Sequence, residues 1–447
     1  MIIYLVLKQL LERAKRMKRD LMQELVEWKS SSLRKPLILR GARQVGKSWL
    51  IDEFSKSFDS FVSINFEKQP EAAQFFQGDI DIQNLLVKLN AYTGQKIIPG
   101  KTLLFLDEIQ ECERATISLR YFKEDLPGLH TIAAGSLIDF TLENIGMPVG
   151  RVQFLYLYPL SFSEFLSAIG KQDLREYVMR GDIVPVIHNQ IMEHVKTYFL
   201  LGGMPAVINA WLLERDFQLC LDLQDEILLT YKQDFEKYAK KRLLDQIESV
   251  FNAIPEHLGE KFIYNKVDPD MRSYIFKEAL NCLKKAGIIH IAYHTSGQGL
   301  PLSMGKDSKH FKVFFFDIGL AQRLLGLDLQ SWILAPLNIK HVGAIAEQFV
   351  SQEYIAYTSI KKPAELYYWH REARSSNAEV DFLFLINGKI IPIEVKSGTS
   401  GHLKSLHLFL ESHPHSEYGI KISQQEQSEY GNIKGVPFYG IESLMRI

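Results

Sequence analysis

The chain has 447 residues, more than one ordinary hydrophobic core supports, which predicts roughly two to four domains of about 100 to 200 residues each. Its hydrophobic fraction of 46% and charged fraction of 23% are those of a folded globular protein and exclude a long disordered tail. The formal net charge of −1 excludes a chain-wide attraction to nucleic acid or anionic membrane, so any nucleic-acid site has to be local.

The cysteines and the first residues bear on the setting in which the protein works. Cys112, Cys220 and Cys282 lie far apart and have no C-x-x-C spacing, which argues against a disulfide framework and a cysteine zinc site. A reducing, cytoplasmic setting is therefore expected. The apolar segment Met1–Leu7 is interrupted at Lys8, well short of the roughly 20 residues that a membrane span needs, so we expect neither a span nor an export signal.

Residues 1–32 are the first predicted segment. Apolar residues recur at helical spacing from Leu10 to Trp28 among lysines and arginines, which predicts an amphipathic helix. Such a helix either packs on a later domain or lies on a membrane surface. The acidic residues Glu12, Asp20 and Glu24 within it favour packing.

Residues 33–165 alternate between short apolar runs and helical patterns. This alternation predicts an α/β fold in which a parallel sheet lies between helices. The predicted strands lie at Pro36–Leu39, Phe61–Ile64, Thr102–Leu106, Leu129–Ala134 and Phe154–Leu157.

A glycine-rich loop follows the first of these strands and precedes a predicted helix. It reads Gly41, Ala42, Arg43, Gln44, Val45, Gly46, Lys47, Ser48 and matches the GxxxxGK[ST] pattern in full. The glycines allow backbone N–H groups to surround a phosphate, and the helix N-terminus adds a favourable dipole. Lys47 is expected to reach the β- and γ-phosphates, and Ser48 to offer its hydroxyl to Mg²⁺. The loop therefore predicts binding of a nucleoside triphosphate, with ATP as the first expectation.

Further polar residues follow later strands of the same sheet. The apolar run Leu103–Leu106 ends in Asp107, expected to hold Mg²⁺ directly or through water, and Glu108, expected to polarise an attacking water. This pair predicts hydrolysis rather than binding alone. Ser136, after the fourth predicted strand, is a candidate contact to the γ-phosphate or the water. Arg151 is a candidate to neutralise transition-state charge, in its own subunit or across the interface of a homo-oligomer, with an ordinary surface ion pair as the alternative.

Residues 166–340 are mostly helical in pattern, with a small β element. The predicted helix Ser273–Ala286, the strand Ile288–Tyr293 and the basic strand Lys312–Phe316 are compatible with a winged helix-turn-helix. Between residues 261 and 312, nine Lys or Arg stand against four Asp or Glu, and nine minus four gives a local balance of +5. A winged helix contacts either DNA phosphates or another protein, and the pattern leaves both partners open.

Residues 341–447 are predicted to form a separate α/β domain. Asp381 lies on one predicted strand, Glu394 and Lys396 lie on the next, and Glu347 lies on the preceding helix. Because the strand period is two, Glu394 and Lys396 share a face, where Asp381 and Glu394 can hold a second Mg²⁺ and Lys396 can stabilise developing charge. This constellation is typical of the restriction-endonuclease-like fold, although an exposed Glu–Lys ion pair gives the same pattern. The residues predicted to contact a phosphate backbone are Trp369, Arg371 and Arg374.

Together, the motifs give the chain a resemblance to a known family. It resembles the bacterial and archaeal AAA-type ATPases that carry a C-terminal domain of unknown function. The segments that carry the resemblance are Pro36–Ser48, Asp107–Gln110, Ala134–Ser136, Gly150-Arg151, Tyr158–Phe165, Leu201–Pro205, Lys312–Leu320, Glu347, Val380-Asp381 and Glu394–Lys396. The resemblance implies an ATPase core, a winged-helix-like middle and a nuclease-like C-terminal domain.

Three functions are compatible with these observations. The first is a Mg²⁺-dependent ATPase whose nucleotide cycle moves its C-terminal domains on DNA or on a protein partner. The second is a nucleotide-gated regulatory or interaction protein with slow hydrolysis. The third is an ATP-controlled, metal-dependent nuclease.

Overall fold

The computed structural model describes residues 17–145, 150–181, 183–238, 243–267, 272–329, 342–371, 377–398 and 403–446. Its first part alternates helices and strands. These are α1 (Leu21–Ser30), β1 (Leu37–Arg40), α2 (Lys47–Ser55), β2 (Ser60–Asn65), α3 (Ile82–Thr93), β3 (Thr102–Asp107), α4 (Glu113–Asp125), β4 (His130–Ala134), α5 (Ile138–Ile145), β5 (Gln153–Tyr156) and α6 (Phe162–Ala168). Each predicted strand of this part is present within two residues of its expected bounds.

The five strands form one parallel sheet in the order β2-β3-β4-β1-β5. Every residue of β1, β3 and β4 is buried, whereas the edge strands β2 and β5 are partly exposed. Alternate residues of each central strand pack into two separate cores, one on each face of the sheet. The sheet is therefore covered on both sides, as the α/β prediction requires.

The N-terminal helix is shorter than predicted. It begins at Leu21 and packs Leu25 and Trp28 into the core, while Met17 to Asp20 are not helical. Leu10 and the apolar start of the chain lie outside the described residues. The helix is thus a packed element of the first domain, which agrees with the favoured reading of its charges.

The middle of the chain is mostly helical. Its elements are α7 (Gln172–Arg180), α8 (Pro185–Leu201), α9 (Pro205–Glu214), α10 (Phe217–Tyr238), α11 (Leu244–Ala253), α12 (Tyr264–Val267), α13 (Ser273–Lys285), β6 (Ile289–Thr295), β7 (Lys306–Phe315) and α14 (Ile318–Leu324).

The last part returns to a mixed α/β pattern. It contains α15 (Val342–Thr358), β8 (Leu366–Arg371), β9 (Ala378–Val380), β10 (Phe382–Ile386), β11 (Lys389–Lys396), α16 (Lys404–Ser412), β12 (Gly419–Ser423), β13 (Ser428–Tyr430), β14 (Ile433–Pro437) and α17 (Ile441–Met445). Five of its strands form a mixed sheet in the order β10-β11-β12-β14-β13. Asn387 and Gly388 connect β10 to β11 with positive φ angles of 50° and 74°, as a two-residue hairpin requires.

A second sheet runs across the predicted boundary between residues 340 and 341. Its order is β7-β6-β8-β9, so the hairpin predicted as a wing pairs through β6 with β8 of the C-terminal part, and β8 in turn pairs with β9. The edge of β6 that a wing would leave open is filled by β8, in parallel pairing. The middle and C-terminal parts therefore share a sheet across this boundary.

Helix α15 carries polar side chains into the interior. The Gln352 carboxamide oxygen accepts from the Ile318 N–H at 2.8 Å, and Glu353 Oε1 accepts from the Phe162 N–H at 2.9 Å. Ile318 and Phe162 are the first residues of α14 and α6, whose N–H groups have no partner inside their own helices. The Tyr357 hydroxyl donates to the other Glu353 oxygen at 2.6 Å. One helix of the C-terminal part thus caps helices in both other parts.

Among the residues that the structure describes, no helix combines the length and apolar composition needed to cross a membrane.

Replacing Glu353 should separate its hydrogen bonds from its charge. Glu353→Ala leaves the Phe162 N–H and the Tyr357 hydroxyl without this partner and should lower the free energy of unfolding by about 2–4 kcal/mol, whereas Glu353→Gln should cost at most about 1 kcal/mol at pH 7. Thermal and denaturant unfolding of both variants measure this. Equal losses in the two variants would contradict the capping role.

The wild type and Glu353→Gln also provide a test of how stability depends on pH. Burial raises the pKa of Glu353 from 4.5 to about 8. Because the folded pKa lies above the unfolded value, the folded state binds the proton more tightly, and this contribution to stability is lost as pH rises between these values. Glu353→Gln lacks this contribution, so its stability relative to the wild type should improve from pH 5 to pH 9.

Candidate functional site

The glycine-rich loop connects β1 to α2 at the carboxyl edge of the parallel sheet. Gly41 and Gly46 have φ angles of 149° and 95°. A Cβ on Gly41 would lie 2.2 Å from the Leu157 carbonyl oxygen, so this position requires glycine for space as well as for conformation. The Lys47 ammonium donates to the carbonyls of Gly41 and Ala42, at 2.9 Å each. Burial lowers the pKa of Lys47 to about 8, against the attraction of Glu108 and Asp107.

Asp107 ends β3 beside this loop. Its Oδ2 accepts from the Ser48 hydroxyl at 3.0 Å and from the Asn65 amide at 3.1 Å. Burial and the neighbouring Glu108 carboxylate raise the pKa of Asp107. The structure therefore brings together the hydroxyl and the carboxylate that were predicted to hold Mg²⁺, an oxygen-ligand pair of the kind this ion prefers.

Glu108 and Ser136 lie at the ends of neighbouring strands. Glu108 has a φ of 48°, and one of its carboxylate oxygens accepts from the Gln110 amide at 2.8 Å. Ser136 is buried, and it lines one cavity together with Gly41 and Ala42 of the loop. All the predicted groups of the nucleotide site except Arg151 thus lie at the same edge of the sheet.

Arg151 lies at the opposite edge. It precedes β5, whose first residue Gln153 is level with Leu37 at the start of β1, whereas the loop follows the end of β1. Its guanidinium pairs with Glu124 at 2.7 Å and is half exposed. The prediction that Arg151 acts on the loop of its own subunit is therefore wrong, because the sheet separates the two. A role across a subunit interface stays a prediction.

Sequence reasoning missed Arg19, which lies before α1 and is 6% exposed. Its Nη1 donates to the Val45 carbonyl at 2.9 Å, Nη2 to the Tyr158 carbonyl at 2.6 Å, and Nε to Glu164 at 3.0 Å. A basic residue in a basic amphipathic segment gives no local sign of such a role. The partners of Arg19 are distant from it in the sequence, so only the fold brings them into contact.

Residues of the middle part also contact the loop. Asp234 of α10 pairs with Arg43 at 2.8 Å, and the Tyr231 hydroxyl donates to the Arg43 carbonyl. Gly287, after α13, approaches so closely that a Cβ there would lie 3.3 Å from the Ala42 nitrogen. The loop is therefore enclosed by a neighbouring part of the chain as well as by its own sheet.

The C-terminal carboxylates also lie close together. Asp381 accepts from the Val395 N–H at 2.7 Å, and Lys396 pairs with Glu394 at 2.5 Å. The second Glu394 oxygen is buried and has no hydrogen-bond partner among the described residues. Burial raises the pKa of Asp381 and Glu394, and the Asp381 charge adds to the effect on Glu394.

A lysine that was predicted to lie on a basic surface occupies this cluster. Lys312 is completely buried, and its ammonium lies 3.0 Å from Glu347 and 2.6 Å from Glu379. Asp381 contributes to the raised pKa of Lys312. No group of three or more His, Cys, Asp or Glu side chains in the described parts of the chain is arranged to hold a metal. In this conformation the cation among these carboxylates is an ammonium.

Two of the predicted phosphate contacts are wrong, because the residues concerned are buried. Lys312 cannot belong to an exposed basic wing, and Trp369 packs against Phe409 and His413 in the interior. Arg371 is exposed at the end of β8, and Arg374 lies outside the described residues.

Three family models match successive parts of the chain. An AAA domain model matches residues 33–166, which confirms the predicted class of the first domain. Models of two domains of unknown function, DUF8612 and DUF4143, match residues 192–331 and 342–440. No protein with a curated description matches the chain significantly.

Several solved structures have a distant likeness to the chain. A Walker-type ATPase of Pyrococcus abyssi is 16% identical, with a TM-score of 0.45 over 69% of this chain and 96% of its own. The ORC1 protein of Aeropyrum pernix, solved in complex with DNA, is 11% identical, with a TM-score of 0.28 over 70% of this chain and 91% of its own. At these TM-scores the likeness adds nothing to the AAA domain match. The chain carries an AAA-type P-loop ATPase domain over residues 33–166, joined to two domains whose families have no assigned function.

Proposed function

We propose that the protein binds and hydrolyses ATP with Mg²⁺, and that the nucleotide cycle moves its middle and C-terminal parts on DNA or on a protein partner. The observation that carries the proposal is the contact between Ser48 and Asp107 beside Lys47 and Glu108. These four side chains supply every charge and hydroxyl that P-loop chemistry needs from one subunit.

Each residue has a separate role in the proposed reaction. Lys47 exchanges its loop carbonyls for β- and γ-phosphate oxygens, and Ser48 and Asp107 hold the Mg²⁺, which neutralises phosphate charge when bound. Glu108 accepts a proton from the water whose oxygen bonds to the γ-phosphorus, while the bond to the β–γ bridging oxygen breaks and ADP leaves. Ser136 contacts the γ-phosphate or the water, and Arg151 serves a neighbouring subunit if the protein assembles.

The contacts between the loop and the middle part support coupled movement. The loop that binds the phosphates in this proposal is also the loop that contacts Asp234, Tyr231 and Gly287. A change in the loop therefore alters the packing of α10 and of the segment after α13. We propose a division into an N-terminal segment (1–32), the ATPase domain (33–165), a winged-helix-like region (166–340) and a nuclease-like domain (341–447).

DNA is the partner that the remaining exposed charges favour. Lys277, Lys306 and Lys309 are exposed around the β6–β7 hairpin, and such charges contact phosphates without reading sequence. A nucleotide-gated regulatory protein with slow hydrolysis is the alternative when a protein is the partner. ATPase rates measured with single-stranded DNA, duplex DNA, RNA and buffer alone distinguish the two.

Two variants test the ATPase itself. Lys47→Ala removes the cation that meets the phosphates and should weaken ATP binding at least about tenfold. Glu108→Gln keeps the shape but removes the base, so ATP affinity should stay within about twofold while kcat falls by about 10²- to 10⁴-fold. Binding by isothermal calorimetry and phosphate release measure the two effects, with the exposed Lys56→Ala as control. Normal turnover in both variants would refute the proposal.

Asp234 tests the coupling between the loop and α10. Adding ATP should change amide hydrogen exchange along α10 in the wild type, and this change should shrink in Asp234→Ala because the ion pair to Arg43 is lost. Asp225→Ala is the matched control, since Asp225 lies on the same helix but pairs with Arg323 at 2.5 Å. The coupling route is wrong if both variants respond to ATP as the wild type does.

The C-terminal cluster supports a second candidate function, a metal-dependent nuclease controlled by the ATPase. Its supporting observation is the group of carboxylates around the Lys312 ammonium. Residues Asp381 and Glu394 would hold the metal there once the ammonium moves away, and Lys396 would stabilise developing charge. Metal-dependent cleavage that persists unchanged in Asp381→Ala would remove this candidate.

Replacing Lys312 should reveal whether the cluster accepts a metal. Lys312→Met leaves buried carboxylates unpaired and should cost about 3–5 kcal/mol of stability in the presence of a chelator. Millimolar Mg²⁺ or Mn²⁺ should recover part of this loss in the variant but not change the wild type. The exposed Lys309→Met on the same strand is the control. A loss that no metal recovers would show that the cluster holds only an ammonium.

A further inference from the structure

Gln110 contacts two parts of the nucleotide site, the Glu108 carboxylate and the Gly135 backbone next to Ser136. It lies in the 3-10 turn Ile109–Glu111, which Glu108 connects to the end of β3. Its amide Nε2 donates to a Glu108 carboxylate oxygen at 2.8 Å. The opposite assignment of the amide would place two oxygens against each other, so the donor must face the carboxylate.

The other end of the Gln110 amide lies against Gly135. A Cβ on Gly135 would be 2.1 Å from the Gln110 carbonyl oxygen and 3.3 Å from its Cδ. The φ of Gly135 is outside the left-handed region, so its backbone does not require glycine. A Cβ at position 135 would therefore displace the end of the Gln110 side chain.

The backbone conformation of Glu108 indicates that this residue is held in place by its surroundings. A φ of 48° places Glu108 in the left-handed region, which costs a non-glycine residue roughly 1 kcal/mol or more and persists only when its surroundings impose it. The Gln110 amide is a direct side-chain restraint on the Glu108 carboxylate. Its carbonyl oxygen is buried and has no hydrogen-bond partner among the described residues, so the hydrogen bond to Glu108 is what orients the amide.

We propose that Gln110 is a positioning residue for ATP hydrolysis: held between Gly135 and Glu108, it aims the Glu108 carboxylate at the attacking water and links it to Ser136. A shift of Ser136 on contact with the γ-phosphate displaces Gly135, and Gln110 transmits that displacement to Glu108. The base is thereby aligned only when the triphosphate is in place. This inference rests on the proposed ATPase function and concerns kcat, not binding.

Single variants provide the first test. Gln110→Ala should lower kcat about 10- to 100-fold and leave the ATP dissociation constant within about twofold, because the base is misaligned but the loop is untouched. Gly135→Ala should have the same effect, since its methyl group displaces the Gln110 amide. Gln23→Ala is the matched control, because Gln23 also donates to a glutamate, Glu27 at 3.3 Å, but on an exposed helix face.

The double variant distinguishes this mechanism from general damage. Once Gln110 is alanine, the methyl group of an alanine at 135 meets no amide. The double variant should therefore be no slower than Gln110→Ala alone, giving a strongly non-additive cycle. Additive losses would overturn the proposed link between the two positions.

A charged replacement gives an independent measurement that a purely structural role would not affect. In Gln110→Glu two carboxylates repel each other, whereas a protonated Glu at 110 can donate to Glu108 as the amide does. The kcat of this variant relative to the wild type should therefore rise as pH falls from 8 to 6. The same ratio for Gln110→Ala should stay flat. Parallel pH profiles for the two variants would overturn the proposal.

The outcomes separate this inference from the proposed function. Normal kcat in Gln110→Ala together with an inactive Glu108→Gln would overturn the role of Gln110 and leave the ATPase standing. Absence of ATP turnover in the wild type would overturn both. Should Gln110→Ala prove unstable by thermal unfolding, Gly135→Ala and Gln110→Glu carry the same test, and normal kcat in Gly135→Ala contradicts the proposal.

Discussion

The buried polar side chains of α15 impose a constraint that the rest of the structure satisfies. Polar groups placed in an apolar interior need partners, and Gln352 and Glu353 find them at the first N–H groups of α14 and α6. Gln348 does the same at the end of β7, where its amide both accepts from and donates to Phe315. Because these partners belong to the first and middle parts of the chain and α15 to the C-terminal part, none of the three parts can shift without leaving a buried group unpaired.

The same packing determines which parts of the chain surround the nucleotide loop. The core on one face of the ATPase sheet is continuous with the cores of the middle and C-terminal parts, whereas the other face has its own core. The loop lies where the shared face meets the carboxyl edge of the sheet, between Arg19 and Asp234. Charge added at the loop would therefore act on groups that the other parts supply, and the proposed domain coupling would follow from packing rather than from a separate linker.

Local patterns in the sequence predicted local features well. The loop from Gly41 to Ser48, the strand ending at Asp107 and the turn at Asn387 depend on residues adjacent in the chain. Arg19 and Glu353 could not be found in this way, because their partners lie 145 and 191 residues away in Glu164 and Phe162. The Phe162 partner has no mark in the composition at all, since a backbone N–H is present at almost every residue.

The local charge count predicted an exposed Lys312, and this prediction was wrong for a related reason. A local balance treats every lysine as exposed, but alternation along β7 turned this one inward, towards carboxylates from α15 and β9. Arg151 failed through topology, since a motif residue that precedes a parallel strand lies at the edge opposite to the loop. Both errors concern which side of a strand or sheet a residue occupies, which periodicity alone leaves undetermined when both faces are covered.

The geometry around Lys312 also decides how the two candidate activities are related. Glu347 is the neighbour of Gln348 on α15, and Gln348 holds Phe315, three residues after Lys312 on β7. The ammonium and the carboxylate are thus held in register by the same backbone contact. A divalent ion can replace the ammonium only if the Lys312 side chain leaves the carboxylates, and because this side chain is completely buried, that exchange requires the surrounding interior to open. Any metal chemistry in the C-terminal cluster would therefore be subordinate to a rearrangement of the interior, of the kind that a nucleotide cycle can supply.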